Sequence, residues 1–245
     1  MSDALRLIEQ AAPVLGGSCL AITEQSAVLS LPVLRVDSKT IQYTLKIFLK
    51  GSRLVVKEVT PTNLPKFCPE RHINTDGTFC LNFEPAGSLT VLDADSALAW
   101  LKILYAFLLL QERSKKLRRW PNKNVWAHGD AAHYQRLAEQ AAASLGPYME
   151  SVIAAGEVSL KERNSKGRLI LELWDNKRHV FSVWWDTRKV IQGRRRCFCQ
   201  TSGARHPRKL RSCKDHAVQA VNLAAALRGM ESEDRLYWKS VRDMP

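Results

Sequence analysis

The sequence has no basic leader followed by an apolar stretch: residues 1–17 carry Asp3, Arg6 and Glu9 within an amphipathic pattern, which excludes the signature of a secretory signal. The cytoplasm is the expected compartment. No run reaches the roughly 20 apolar residues that cross a bilayer; the nearest, 94–110, is broken by Asp95, Ser96 and Lys102. That stretch reads as a buried helix, and no membrane partner is expected. Six cysteines in 245 residues are too few and too unevenly placed for a disulfide scaffold, so their uses narrow to thiols, metal ligands or nucleophiles. Internal repeats and low-complexity runs are also lacking, which removes solenoids and biased tracts from consideration.

What is present is ordinary for a folded protein, 45% hydrophobic and 25% charged residues, over a length that favours two domains. The formal charge of +13 is unevenly spread: 17 basic against 14 acidic residues up to Gly156, and 20 against 10 after it. The basic excess of the C-terminal third favours a polyanionic surface, whether nucleic acid, an acidic protein face or anionic lipid.

Periodicity predicts an amphipathic helix over 4–12, with Leu5, Ile8 and Ala12 on one face, stopped by Pro13 and Gly16-Gly17. Three strands, 26–36, 41–48 and 53–59, come after it with short turns between them, an antiparallel meander. From 61 to 85 the prolines and Gly77 forbid a long regular element, and an irregular loop of this kind usually carries function. A long helix over 95–116 and a helix or helix pair over 131–155, broken at Gly146-Pro147, come next. Strands at 158–161, 168–174 and 179–185 form a small basic sheet, and 214–230 a closing helix. The expected organisation is α+β, an antiparallel sheet flanked by helices over 1–156, then a small basic β-rich module with a C-terminal helix over 157–245.

The loop gathers its polar groups in front of one cysteine: Cys68-Pro69-Glu70-Arg71-His72-Ile73-Asn74-Thr75-Asp76-Gly77-Thr78-Phe79-Cys80-Leu81. Asp76-Gly77 supplies a tight turn. A thiol is a strong nucleophile, and a thioester keeps an acyl group activated for later attack by an amine. Cys80 is therefore the candidate nucleophile. His72 is its candidate partner, as donor to a developing oxyanion or as a cation favouring the thiolate. Asn74 and Asp76 are auxiliary candidates, as are His128 and Asp130, which lie after the long helix in an aromatic stretch with Trp120 and Trp126. A lone cysteine beside Phe79 and Leu81 is more often a small buried hydrophobe; the order of elements around it argues otherwise.

That order, helix, meander, proline-rich loop, Asp-Gly-Thr-Phe-Cys-Leu and then helices, resembles the ubiquitin-conjugating enzyme family over about 1–156. Gly77, Cys80 and Leu81 match the family's arrangement of a turn glycine, an acceptor cysteine and an adjoining leucine. The family's His-Pro-Asn signature is replaced by Glu70-Arg71-His72, and Ile73 and Asn74 resemble the residues just after that signature, so His72 stands where the oxyanion-stabilising asparagine is usual. This departure resembles the divergent bacterial members, some encoded in antiphage conjugation operons beside an activating enzyme. The resemblance implies a transferase that takes a ubiquitin-like protein from an activating enzyme onto Cys80 and passes it to an amine on a protein target. A rival reading is a conjugating-type fold whose cysteine is unused and whose basic module does the binding.

Cys197-Phe198-Cys199 and Cys213-Lys214-Asp215-His216 put three thiols and an imidazole in two close pairs, the donor set of a closed tetrahedral zinc site. Such an ion is structural, its binding energy becoming folding energy. His206, between the pairs, is an alternative fourth ligand. Arg194, Arg195, Arg196, Arg208, Lys209 and Arg211 surround these positions, and Trp174, Trp184 and Trp185 lie in the adjoining strands, a mixture suited to nucleic acid or an acidic protein partner. In a strand, Trp184 and Trp185 point to opposite faces, so at least one belongs to the core.

Overall fold

Leu5, Ile8 and Ala11 recur on one stripe of helix α1 (Asp3–Ala11) and are its buried residues. Pro13 turns the helix into a short 3-10 segment, Ala12–Leu15, which Gly16 ends with a left-handed φ of 73°. The chain then enters a four-stranded antiparallel sheet of order β1-β2-β3-β4, formed by β1 (Ser18–Ile22), β2 (Ser26–Leu34), β3 (Thr40–Lys50) and β4 (Arg53–Glu58). Strict alternation sends Ala27, Leu29, Leu31 and Val33 of β2, and Tyr43, Leu45 and Ile47 of β3, into the core. The sheet has four strands where three were expected. β1 is an edge strand whose side chains are half-buried or exposed in no alternating order, so hydrophobic periodicity carries no signal there.

Helix α2 (Ala94–Leu117) opens on a capping box, the Asp93 carboxylate accepting from the Ser96 N–H at 2.8 Å. Among the described residues it is the one helix long and apolar enough to cross a membrane. Trp100, Leu101, Leu104, Phe107 and Leu108 instead bury one face of it in the core shared with α1 and the sheet. The computed structural model describes residues 2–35, 37–51, 53–81, 89–121, 127–191, 196–199 and 209–244.

The chain divides into two compact units, Met1–Asn122 and Lys123–Pro245, so the boundary falls well before the expected position at 156. The second unit contains α3 (Ala131–Leu145), α4 (Pro147–Ala154), the antiparallel sheet β5 (Val158–Ser165), β6 (Arg168–Asp175), β7 (Arg178–Trp184) and β8 (Lys189–Val190), and α5 (Lys214–Arg242). The two helices before Gly156 belong here because the small face of α3, Ala138, Ala141, Ala142 and Leu145, shares a core with Leu223, Ala224 and Leu227 of α5 and with Leu171, Leu173 and Phe181 of the sheet. Small side chains let helix backbones approach closely, a pairing that no local pattern in α3 announces.

Helix α5 also runs past its expected end at 230, to Arg242. Gly229 is not a stop signal. A Cβ there would lie within clashing distance, 2.4 Å, of the Tyr134 ring, so the glycine makes room for α3. Trp185 packs against the core of this unit, whereas Trp184, its neighbour, lies under the Arg168 guanidinium at 4.2 Å.

Candidate active loop and metal cluster

After β4 the chain is organised by a buried carboxylate. Glu58 accepts from the Asn63 N–H at 3.1 Å and the Leu64 N–H at 3.0 Å, and from the Thr62 hydroxyl at 3.1 Å. A 3-10 turn over Pro69–Arg71 comes next, and His72 caps it in the left-handed conformation, φ 57°. Histidine is among the side chains that tolerate that region best. Arg71 then locks the loop to α2: its Nε donates to Gln111 Oε1 at 2.8 Å, and Gln111 Nε2 returns a bond to the Arg71 carbonyl at 2.5 Å.

Residues 74–78 form the tight turn. Gly77 has φ 78°, and Asp76 Oδ1 accepts from the Thr78 N–H at 3.0 Å and the Thr78 hydroxyl at 2.5 Å. Asn74 Nδ2 donates to the same hydroxyl at 3.0 Å. Although partial burial pushes the Asp76 carboxyl up, the two Thr78 bonds and the Lys50 ammonium 3.6 Å away outweigh it and hold the group below the usual carboxylate range. Asn74 and Asp76 thus shape the turn.

Two further bonds aim the cysteine. Phe79 donates to the Val56 carbonyl at 2.9 Å and stacks on Phe107, centroids 5.0 Å apart. The Cys80 N–H donates to the His72 carbonyl at 2.9 Å. Cys80 is exposed, while its buried neighbours Thr78 and Phe79 anchor the segment. Desolvation of the thiol by the protein around it raises its pKa, so it is held as a thiol at neutral pH. The His72 side chain is buried, and its ring lies 5.0 Å from that of Trp120.

In the second unit, Cys197 and Cys199 lie just after Arg196, which bridges to Lys209, while Cys213 is the N-cap of α5 and His216 lies in its first turn. Their ligand atoms all lie within 4.8 Å of one another. Cys199 is central, its Sγ being 3.3 Å from Cys197 Sγ, 3.5 Å from Cys213 Sγ and 3.1 Å from His216 Nδ1. Burial pushes the Cys197 thiol up to about 12. Burial also acts against ionisation of Cys213, but the His216 N–H and contacts with His216, Cys197 and Cys199 bring it down to about 6. Three thiols and one imidazole nitrogen, converging with two of the cysteines buried, fit a four-coordinate metal ion.

Residues 16–122 match the family model described as the prokaryotic E2 domain, and residues 127–245 match that of the cysteine-rich domain, C-terminal to E2 domain. Each match spans a little under half of the chain, so residues 16–122 are similar to that E2 domain and residues 127–245 to that Cys-rich domain. No curated protein and no solved structure matches it. One match falls in each compact unit, so the E2-like domain holds Cys80, His72, Asn74 and Asp76 in one hydrogen-bonded loop, and the Cys-rich module holds the cluster of three cysteines and a histidine that could hold a metal ion.

His128 and Asp130 belong to the Cys-rich module. His128 stacks on Tyr237, centroids 4.8 Å apart, and meets Trp238 edge-on; Asp130 is exposed ahead of α3 and makes no side-chain cap bond. Both residues lie in the unit that does not contain Cys80, and α5 extends far enough for Tyr237 and Trp238 to pack on His128. Arg196, Lys209 and Arg211 are exposed around the cluster. Arg194, Arg195, Arg208, His206 and Trp126 lie outside the described residues. Sequence reasoning passed over Gln111 and Glu58, which build the loop. The signal was available for Gln111, a polar residue ending an otherwise apolar helical run.

Proposed function

We propose that the E2-like domain carries a ubiquitin-like protein as a thioester on Cys80. The carrying observation is an exposed thiol at the end of a loop fixed from both sides, in a domain of the prokaryotic E2 type. In the first step Cys80 Sγ attacks the thioester carbonyl of the modifier on an activating enzyme. A new S–C bond forms, the donor S–C bond breaks, and the departing thiolate takes up the proton that Cys80 gives up. In the second step an amine on a protein target attacks the same carbonyl: a C–N bond forms, the Cys80 S–C bond breaks, and the proton that the amine gives up returns to the Cys80 sulfur. No soluble cofactor takes part in either transfer.

His72 orients the Cys80 main chain and stands at the position from which the family stabilises the oxyanion. The Cys-rich module is read as holding a structural zinc ion on Cys197, Cys199, Cys213 and His216, and as recruiting a partner through its basic surface. When bound, the ion would supply cross-linking rather than chemistry, since the four ligands leave no open position. The setting we favour is a bacterial antiphage conjugation system working in the cytoplasm.

The test is intact mass after incubation with a cognate activating enzyme, ATP and modifier. A thiol-labile adduct on the native chain, converted to a thiol-stable ester in Cys80→Ser, is the expected result. No adduct beside a demonstrably active activating enzyme would overturn the carrier role and leave a binding protein whose cysteine is not used.

A further inference from the structure

The sheet of the Cys-rich module has two faces of different chemistry. Leu171, Leu173, Phe181, Val183 and Val190 point toward α3 and α5. The strand registers place Trp174 and Trp184 on the other face, Trp184 opposite Ile170 and Lys189, and Trp174 beside Ser159. Lys161, Arg163 and Arg168 share that face through the same registers.

Both indoles are held by cations. The Lys161 ammonium lies 4.3 Å from the centroid of Trp174, and the Arg168 guanidinium 4.2 Å from that of Trp184. Ile170 is only 2% exposed although it lies outside the core packed by the helices; on this face its cross-strand neighbours are Trp184 and Arg163. The aromatic surface is therefore packed in place rather than made of loose side chains. Trp174 and Trp184 lie near opposite ends of the sheet, four positions apart in register, or roughly 13 Å at strand rise.

Charge on the face is of one dominant sign. Among the described residues, Lys161, Arg163, Arg168 and Lys189 oppose a single strand carboxylate, Glu172, which pairs with Arg163 at 2.7 Å; Asp186, just past β7, pairs with Arg168 at 2.7 Å. The whole of residues 123–245 carries 22 basic against 13 acidic side chains. Separated indoles among cations on an open sheet are the combination that holds single-stranded nucleic acid, bases stacking on the rings while phosphates meet the cations. An acidic protein face would account for the cations but would not need two large flat rings.

We propose that the outer face of the β5–β8 sheet binds single-stranded nucleic acid, with Trp174 and Trp184 as stacking platforms, the Lys161 and Arg168 head groups moving from the rings to phosphates as bases take their place, and Lys189 as a further phosphate contact. This activity is independent of the thioester chemistry and would bring the E2-like domain to a nucleic acid.

The full chain is titrated with fluorescein-labelled oligothymidylate, its duplex with oligoadenylate, and polyglutamate, by anisotropy and by quenching of tryptophan emission. Binding of the single strand with quenching is expected, and weaker binding of the duplex. Trp184→Leu, which keeps an apolar cover over Ile170, should weaken single-strand binding by about tenfold. Lys189→Gln, at an exposed position, should weaken it modestly and lower the salt slope by about 1, while leaving thermal unfolding unchanged. The proposal is overturned by absence of binding at low salt, by equal binding of single strand and duplex without quenching, or by tighter, Trp184-dependent binding of polyglutamate, which would make the face an acidic-protein site.

Discussion

The imidazole of His72 packs against the indole of Trp120, ring centroids 5.0 Å apart and planes tilted by 59°, while the His72 carbonyl holds the Cys80 N–H. One residue in a left-handed conformation thus fixes Cys80 through its main chain and is itself fixed through its ring. His72→Asn tolerates the same conformation and retains a side-chain donor, so adduct formation should persist. His72→Val cannot adopt that conformation without strain of about 1–3 kcal/mol and should both lower the melting temperature and slow adduct formation. Thermal unfolding and intact mass of the two variants check this; full activity in His72→Val would remove the residue from the mechanism.

The Cys80 thiol is raised by desolvation, with a defined consequence for pH. Because the native state keeps its proton where the unfolded chain has begun to lose it, this group's contribution to stability is complete below the ordinary cysteine pKa and is lost as pH rises through the native value. The same shift makes alkylation of Cys80 by iodoacetamide slower than that of a free cysteine near pH 8, with a rise at higher pH than free cysteine shows. Mass spectrometry of Cys80 modification against pH measures it. Rapid modification at neutral pH would contradict the raised value.

Cys199 touches the other three members of its cluster. Purified protein should contain one zinc per chain, and Cys199→Ala should lose it. Chelation or this substitution should destabilise the Cys-rich module while the E2-like domain, which has a core of its own, keeps its folding. Metal analysis joined to limited proteolysis resolves the two units. Native metal content in Cys199→Ala would argue against this ligand set.

Gly229 faces the Tyr134 ring, where a Cβ would sit 2.4 Å from the nearest ring atom. Gly229→Ala should therefore cost about 1–3 kcal/mol through overpacking, against the gain of about 1 kcal/mol that alanine normally brings to a helix interior. Adding Tyr134→Ala should recover part of the loss if the clash is its origin. A double-mutant cycle by denaturant unfolding gives the coupling.

Wherever one face of an element meets the core and the other meets water, the sequence was readable. The stripe of Leu5 and Ile8 in α1, the alternation of β2 and β3, the Gly146-Pro147 break between α3 and α4 and the paired Cys-x-Cys and Cys-x-x-His spacings all lie within a few residues of one another, so local chemistry suffices. β1 was not readable because an edge strand with few buried side chains has no alternation to show. The far half of α5 was missed because the buried stripe of this helix ends at Leu227 and 231–242 has no fully buried side chain to mark a face.

From sequence alone came the α+β class, the nucleophile candidate in its proline-rich loop, and the four candidate ligand positions of the basic tail. Only the tertiary structure decided where the chain divides, since the alanines of α3 are neutral until α5 arrives to bury them. It also decided how Cys80 is held, through Gln111, Glu58 and the carbonyl of His72, and which face of the second sheet carries Trp174 and Trp184. These relations join residues far apart in the chain. Hydrogen bonds and close packing act over a few ångströms of space, and the spacing of residues along the sequence does not record which distant segments will meet.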